Sequence, residues 1–406
     1  MLVCSRAGAV DVIPVYRGHL MGGQYFLKGT NASLSGNAAL LAAPVLEFNE
    51  RWSLIPVYGG NYQGTKGVAD GVRAGSLFQQ QMDHRVSFTG IYSVMGTAWK
   101  VKPTGGYKRY FLKETRDETW GRGLFDWEKI NVGFELENAY REPFSYRAGF
   151  EAFRIRFPNY ESLESQVGTD PSGNPLGREQ ASKNPLDTYN YQVSLSGSRP
   201  FPYDNPVVSL SAAYSILYQF YPDQRIVNRA GQFQENKPHK RGDFLNSVSL
   251  GVGYPKTLGA GKEAPRLNTS FSVTASHNGS NQNTFDAART MYIHDSYSYY
   301  SWGAGPGVSL GWGDQKQPSS VGLGFQFTRT GYIGRQAQNA DGLYLNRHQV
   351  QDRYVTSLAY SYPLAPGFNL KTAANALWAT SNNYYEKTYS YTYRTANYTM
   401  GITYEY

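Results

Sequence analysis

The chain has 406 residues, enough for two or three ordinary domains or for one large barrel. Its 34 tyrosines and 43 glycines, with charged residues at only 17%, fit neither a disordered chain nor a helix-rich one. A mean hydropathy of −0.51 excludes a bundle of apolar membrane helices, and a net charge of +8 without any block of five consecutive basic residues gives no nucleic-acid footprint.

At the N-terminus, "MLVCSRAGAV" lacks the apolar core of a secretory signal, so the signal has been removed or the chain is part of a longer protein. Leu2-Val3-Cys4 is a faint version of a lipid-attachment box, with Val where a small residue belongs. Cys4 is the single cysteine and cannot form an internal disulfide; nothing has zinc-ligand spacing, and neither metal nor cofactor is expected. "DVIPVYRGHLMGGQYFLK" (11–28) supplies a first strand, the least clearly alternating one. The longest apolar run, "ALLAAPVL" (39–46), is far short of the roughly 20 residues of a membrane helix.

From there the pattern is period two. "INVGFELE" (130–137), "YNYQVSLSGS" (189–198), "VVSLSAAYSILYQF" (207–220), "SVSLGVGY" (247–254), "LNTSFSVTAS" (267–276), "VGLGFQF" (321–327) and the closing "YTMGITYEY" (398–406) each alternate a large apolar residue with a small or polar one. Successive side chains of a strand point to opposite faces, so each segment predicts a strand with one apolar and one polar face. Short connections near 47–51, 96–98, 141–143, 199–206, 255–265, 313–320 and 363–367 interleave with long ones near 64–76, 113–127, 159–187, 221–243, 278–298, 334–349 and 380–389. Together with 11–28 they predict an all-β, closed antiparallel transmembrane barrel of about sixteen strands (14–18), forming one domain over residues 1–406. Aromatic residues at the boundaries predict two girdles. Phe48, Trp52, Trp99, Phe144, Phe201, Tyr203 and Phe368 lie at the short-turn side; Tyr110, Phe157, Tyr160, Tyr189, Phe220, Tyr299, Tyr300, Tyr332, Tyr384 and Tyr385 lie at the long-loop side.

The asymmetry of connections and the closing Tyr398, Met400, Ile402, Tyr404 and Tyr406 resemble bacterial outer-membrane β-barrels, whose terminal aromatic and alternating apolar residues are read by the assembly machinery. Family members usually end in Phe; this chain ends in Tyr. The resemblance implies a bacterial outer-membrane location. It also implies lipid and lipopolysaccharide around the barrel, the barrel assembly machinery as a partner, and a homo-oligomer or periplasmic partner as options.

The polar face carries the expected function. It is mostly Ser, Gly, Asn, Thr and Gln, which suits a wet lumen. In "WKVKPTGGYKRYF" (99–111) the phase puts Lys100, Lys102 and Lys108 inward, and Glu135 and Glu137 follow on the next strand. In "FSYRAGFEAFRIRF" (144–157) Arg147 is inward, and a bulge near Glu151-Ala152 would turn Arg154 and Arg156 inward as well. Such a wall predicts an anion-preferring pore; internal ion pairs that brace the wall are the plainer explanation of the same residues. The third long loop, "KETRDETWGRGLFDW" (113–127), carries Glu114, Asp117, Glu118 and Asp126. Resemblance to classical sixteen-stranded porins, in charge layout only, implies an inward-folded constriction loop. Their Pro-Glu-Phe-Gly-Gly signature is absent.

The alternatives are the barrel module of a polysaccharide or surface-protein export system, and a plugged structural or adhesive barrel. Enzymatic activity is not expected. "TASHNGSNQN" (274–283) faintly resembles the His-x-Ser-Asn-Gly stretch of outer-membrane phospholipase, but the serine after His277 is Ser280, three residues on. His294 and Asp295 are neighbours, which along a strand would set them on opposite faces.

Overall fold

The computed structural model describes residues 10–406 apart from 28–30, 65–70, 73–78, 116, 140–144, 162–167, 170–171, 174, 177–183, 203–206, 234–239, 262, 288 and 387–388. Cys4, Phe144 and Tyr203 lie outside the described residues. Eighteen strands form one antiparallel sheet, and two of them, Asp11–Ile13 and Val45–Glu47, are short continuations of the staves beside them. Sixteen staves remain. In chain order they are β1 (Tyr16–Leu27), β2 (Asn31–Ala42), β3 (Trp52–Gly64), β4 (Gln80–Ser93), β5 (Trp99–Lys113), β6 (Trp127–Ala139), β7 (Ser145–Arg156) and β8 (Thr188–Pro202). There follow β9 (Val207–Arg225), β10 (Lys240–Thr257), β11 (Arg266–Ser280), β12 (Tyr299–Trp312), β13 (Ser319–Gln338), β14 (Tyr344–Ala365), β15 (Phe368–Ser381) and β16 (Tyr393–Glu405).

Each stave pairs with the next, and β1 pairs with β16 from Arg17↔Glu405 to Leu27↔Thr395, so the sheet closes and has no edge. Tyr16 and Tyr406 exchange backbone hydrogen bonds at 3.1 and 2.9 Å to finish the seam. Gly23 and Gly401 sit where a Cβ would collide with the backbone of Tyr398 and of Leu20, so only glycine lets these two staves approach.

Which face is outside follows from exposure. On a convex wall the outward side chains spread apart and the inward ones crowd. Leu20 (70%), Val132 (61%) and Ile130 (57%) stand exposed, whereas Thr399, Thr403, Asn190 and Asn278 on the alternate face are buried. The barrel therefore turns its apolar face to lipid and its polar face to the lumen, the inverse of a soluble core.

Three expectations change. The expected loop 334–349 is largely strand, because β13 and β14 run to Gln338 and from Tyr344. Their upper parts are polar on both faces, as strand beyond the apolar band can be, and so alternation does not mark them. The girdle divides as well. Trp52, Trp99, Phe368, Tyr189 and Tyr300 are exposed on the outer face, while Tyr110, Tyr299 and Tyr332 fall on the inner one, where Tyr299 and Tyr332 meet edge to face at 6.2 Å. Most consequentially, β7 pairs with β6 without a break from Ser145↔Ala139 to Arg156↔Glu128, so there is no bulge at Glu151-Ala152. Arg154 and Arg156 share the face of Tyr146 and Phe150 and point out of the barrel, and Phe153 and Ile155 point in. Apolar residues are admitted there because the Phe153 ring packs against Lys129, whose Nζ lies 3.8 Å from its centroid.

Candidate functional site

The lumen has two unlike walls. On β4–β7 the register lines up cations. Arg85, Lys108 and Lys129 stand directly opposite one another on three adjacent staves. Like charges in one cross-strand row repel, so the row needs compensation. Diagonal acids give part of it: Lys108 reaches Asp83 at 3.3 Å and Lys129 reaches Glu151 at 2.8 Å. Arg85 has no acidic partner within 4.0 Å among the described residues. Towards the turn end, Lys102 is held by Glu137 and, at 3.4 Å, by Glu135; Glu137 also accepts from Arg147 at 3.1 Å. Lys100, opposite Glu137 in register, has no ion pair within 4.0 Å among the described residues. The structure thus brings Lys100, Lys102, Lys108, Glu135, Glu137 and Arg147 onto one inner wall, and it adds Arg85 and Lys129, whose strands gave no charge run in the sequence.

The wall that follows it round the barrel is bare of charge along its middle; Arg241 and Asp243 lie on it only towards the mouth and Arg266 only at its turn end. On β8–β12 the inner positions include Ser194, Ser196, Ser215, Ser247, Thr274 and Ser301, which border one continuous cavity. Short hydroxyl side chains leave width to the lumen and keep it wettable.

Arg154 and Arg156 are absent from this site. Arg154 meets Asp187 at 3.5 Å and stacks over Tyr189; Arg156 meets Glu128 at 3.0 Å.

The third loop does not carry its acids across the lumen. Asp126 is buried and accepts from the backbone N–H groups of Leu112 (2.8 Å) and Gly123 (3.1 Å), closing its own turn. Glu118 likewise accepts from the backbone of Glu114 and Thr115. Asp117 is exposed. Trp120 packs against Tyr62 of β3, and Lys113 lies over its ring at 5.5 Å, which lays the loop against the rim from β3 to β5. Burial raises the Glu114 carboxyl above its ordinary value, with Glu118 adding to it, and burial raises Asp126 against the pull of its two backbone donors.

A different set of loops interlocks at the mouth. Tyr344 donates to Asp286 at 2.9 Å, Arg289 donates to the Asp341 carbonyl at 3.2 Å, and Tyr389-Ser390 pair with Gly71-Val72. Below them Arg241 lies between the rings of Tyr221 (4.3 Å) and Tyr297 (4.2 Å) while donating to Asp243 and Gln224. These residues alternate like any others in the sequence, and nothing there marks them as a buried cluster.

Among the described residues, no catalytic constellation forms around the histidines singled out above. His277 points outward and Ser280 inward, where Ser280 donates to Asp243. His294 and Asp295 do touch, at 2.7 Å, contrary to the strand-based expectation, because they lie in a turn with Asp295 at φ 52°.

The closing residues are placed at the seam. Tyr398, Met400 and Ile402 are exposed on the outer face, Tyr398 donates to Gln24 at 2.7 Å, and Tyr404 packs on Phe368 at 4.7 Å.

No protein-family model and no curated protein matches the chain. Among solved structures it is similar to OccAB1 of Acinetobacter baumannii, with 9% identity, a TM-score of 0.51 and 99% of each chain covered. It is also similar to OpdK of Pseudomonas aeruginosa, solved with vanillate (7% identity, TM-score 0.46, 97% of this chain and 99% of that one). A bacterial polysaccharide outer-membrane secretin gives 7% identity, a TM-score of 0.45, and 97% and 98% coverage. At such identities the likeness is one of fold. Sixteen antiparallel staves closed on themselves, with an apolar outer face, give the protein the fold of a transmembrane β-barrel, the fold it shares with OccAB1.

Proposed function

We propose that this barrel is a pore for hydrophilic solutes and that it prefers anions. The observation that carries the reading is the inner row Arg85–Lys108–Lys129 with its incomplete set of acidic partners, beside a wall of hydroxyls. A barrel of this strand number encloses more width than its own side chains fill. Inside it, a fixed excess of cations lowers the energy of a passing anion and raises that of a cation. The paired residues (Lys102, Glu135, Glu137, Arg147) hold the wall in shape; Arg85 and Lys100 supply the unbalanced charge. The third-loop acids have no part in this reading.

Single-channel recording in a planar bilayer, with the reversal potential taken under a salt gradient, tests it. Discrete openings with an anion-selective reversal potential are expected. A folded, inserted barrel that stays silent would point to a plugged or partner-opened export barrel. A cation-selective pore would overturn the role given to Arg85 and Lys100.

A further inference from the structure

The outward-turned arginines form a pattern of their own. Register sets His84, Arg109, Glu128 and Arg156 in one row on the outer face of four adjacent staves. One step towards the turn end come Tyr107, Ile130, Arg154 and Tyr189 on the same face. Beneath them the outer face is apolar: Pro103, Phe134, Phe150 and Val193 share a row. From Trp99 to Tyr107 β5 covers about 20 Å of the membrane normal, at ~3.3 Å per residue and a tilt of 35–45°. The arginines therefore stand at the loop end of the lipid-facing band, where hydrocarbon gives way to headgroups.

Charge on the lipid face of a barrel is costly at the midplane and tolerated only near the interface. Here it is also organised. Glu128 is the acid within the row, and it is shared: Arg156 donates to it at 3.0 Å and the Tyr107 hydroxyl at 3.1 Å. Arg109 lies over the Phe111 ring at 5.0 Å, and Arg154 over Tyr189 at 5.1 Å. Each guanidinium carries five donors in a fixed fork, and one carboxylate cannot fill those of Arg109 and Arg156 together. The Phe111 and Tyr189 rings lie beside the Arg109 and Arg154 guanidinium groups, and the Arg154 Nε is buried without a hydrogen-bond partner among the described residues. A planar fork beside an apolar surface matches a phosphate group borne on an acyl lipid.

We infer that Arg109 and Arg156, with Arg154 beside them, hold the phosphate of an anionic lipid in the leaflet on the loop side. The site rests on the membrane placement of the barrel and is independent of what the lumen conducts. The test uses the folded barrel in neutral detergent and native mass spectrometry. The probes are a bisphosphorylated glucosamine-based acyl lipid, the same lipid without its phosphates, and inorganic phosphate as competitor. The phosphorylated lipid is expected to be retained about tenfold better than its dephosphorylated form, and Arg109→Gln with Arg156→Gln to erase that preference. Equal retention of the two lipids by the unaltered protein would overturn the proposal, with or without a folded variant. Displacement by an equal concentration of inorganic phosphate would overturn the lipid as occupant. Retention unchanged in the folded double variant would move the site elsewhere on the barrel and overturn the assignment.

Discussion

The wall formed by β4–β7 and the wall formed by β8–β12 have the same backbone and, within the apolar band, similar outer faces, and along that band they differ inside. One carries a lattice of lysine, arginine and carboxylate joined across staves; the other, along its middle, carries serine, threonine and glycine. Sheet formation is indifferent to this choice, because the ladder is built from backbone groups and the outer face alone meets lipid. The inner face is thus free to vary from wall to wall. Ion pairs in contact with water contribute little stability, about 0–1 kcal/mol each. The charged lattice serves mainly to fix where the charges sit.

The contrast can be broken most directly by reversing the cation row. Arg85→Glu, Lys108→Glu and Lys129→Glu together are expected to change the sign of the reversal potential. The same three charges placed at Ser215, Ser247 and Ser276 on the hydroxyl wall are expected to weaken the anion preference without reversing it. Equal effects from both triples would make the walls equivalent.

Next in size is a change of stability. Gly305 faces inward on β12, where a Cβ would run into the Phe325 carbonyl and the Gln326 side chain. Gly305→Ala is expected to cost about 1–3 kcal/mol in urea unfolding from vesicles. On that wall glycine is required by close approach, beyond leaving room.

Glu137→Gln removes the carboxylate shared by Lys102 and Arg147. The expected result is a shift of the reversal potential further towards anions, smaller than that of the triple reversal and with stability changed by less than about 1 kcal/mol. No shift would show that both cations are screened by water already.

The smallest effect concerns the third loop. Burial and then Glu118 raise the Glu114 pKa, so the folded loop binds its proton more readily than the unfolded chain. Stability from this group is full below the ordinary 4.5 and is lost as pH rises through the raised value. The packing of Trp120 on Tyr62, followed by fluorescence, should loosen across that window, and Glu114→Gln should flatten the change.

How much of this was written in the sequence depended on what alternation reports. It marks the height of the lipid band, so the outer and inner sets of β5, β6, β10 and β11 were legible residue by residue, Lys100, Lys102 and Lys108 included. It fails above the band. There Phe153 and Ile155 turn inward to pack by Lys129, and the change of apolar phase imitated a bulge that the register lacks. The polar upper parts of β13 and β14 imitated a loop for the same reason. The acids of 113–127 misled differently. Composition shows four carboxyl groups, but only geometry shows that Asp126 and Glu118 are occupied by backbone N–H groups within the loop. The three-cation row needed the pairing of β4, β5 and β6, which no single strand contains.

The seam between β1 and β16 has a consequence in time. Tyr16 and Tyr406 are bonded to each other, so the first stave has no partner on one side until β16 arrives. Until then the sheet keeps two open edges, each able to capture the wrong strand. Closing contacts so far apart in sequence come late and slowly. A chain built this way gains its final shape in one terminal step, and whatever shelters its first edge sets how often that step succeeds.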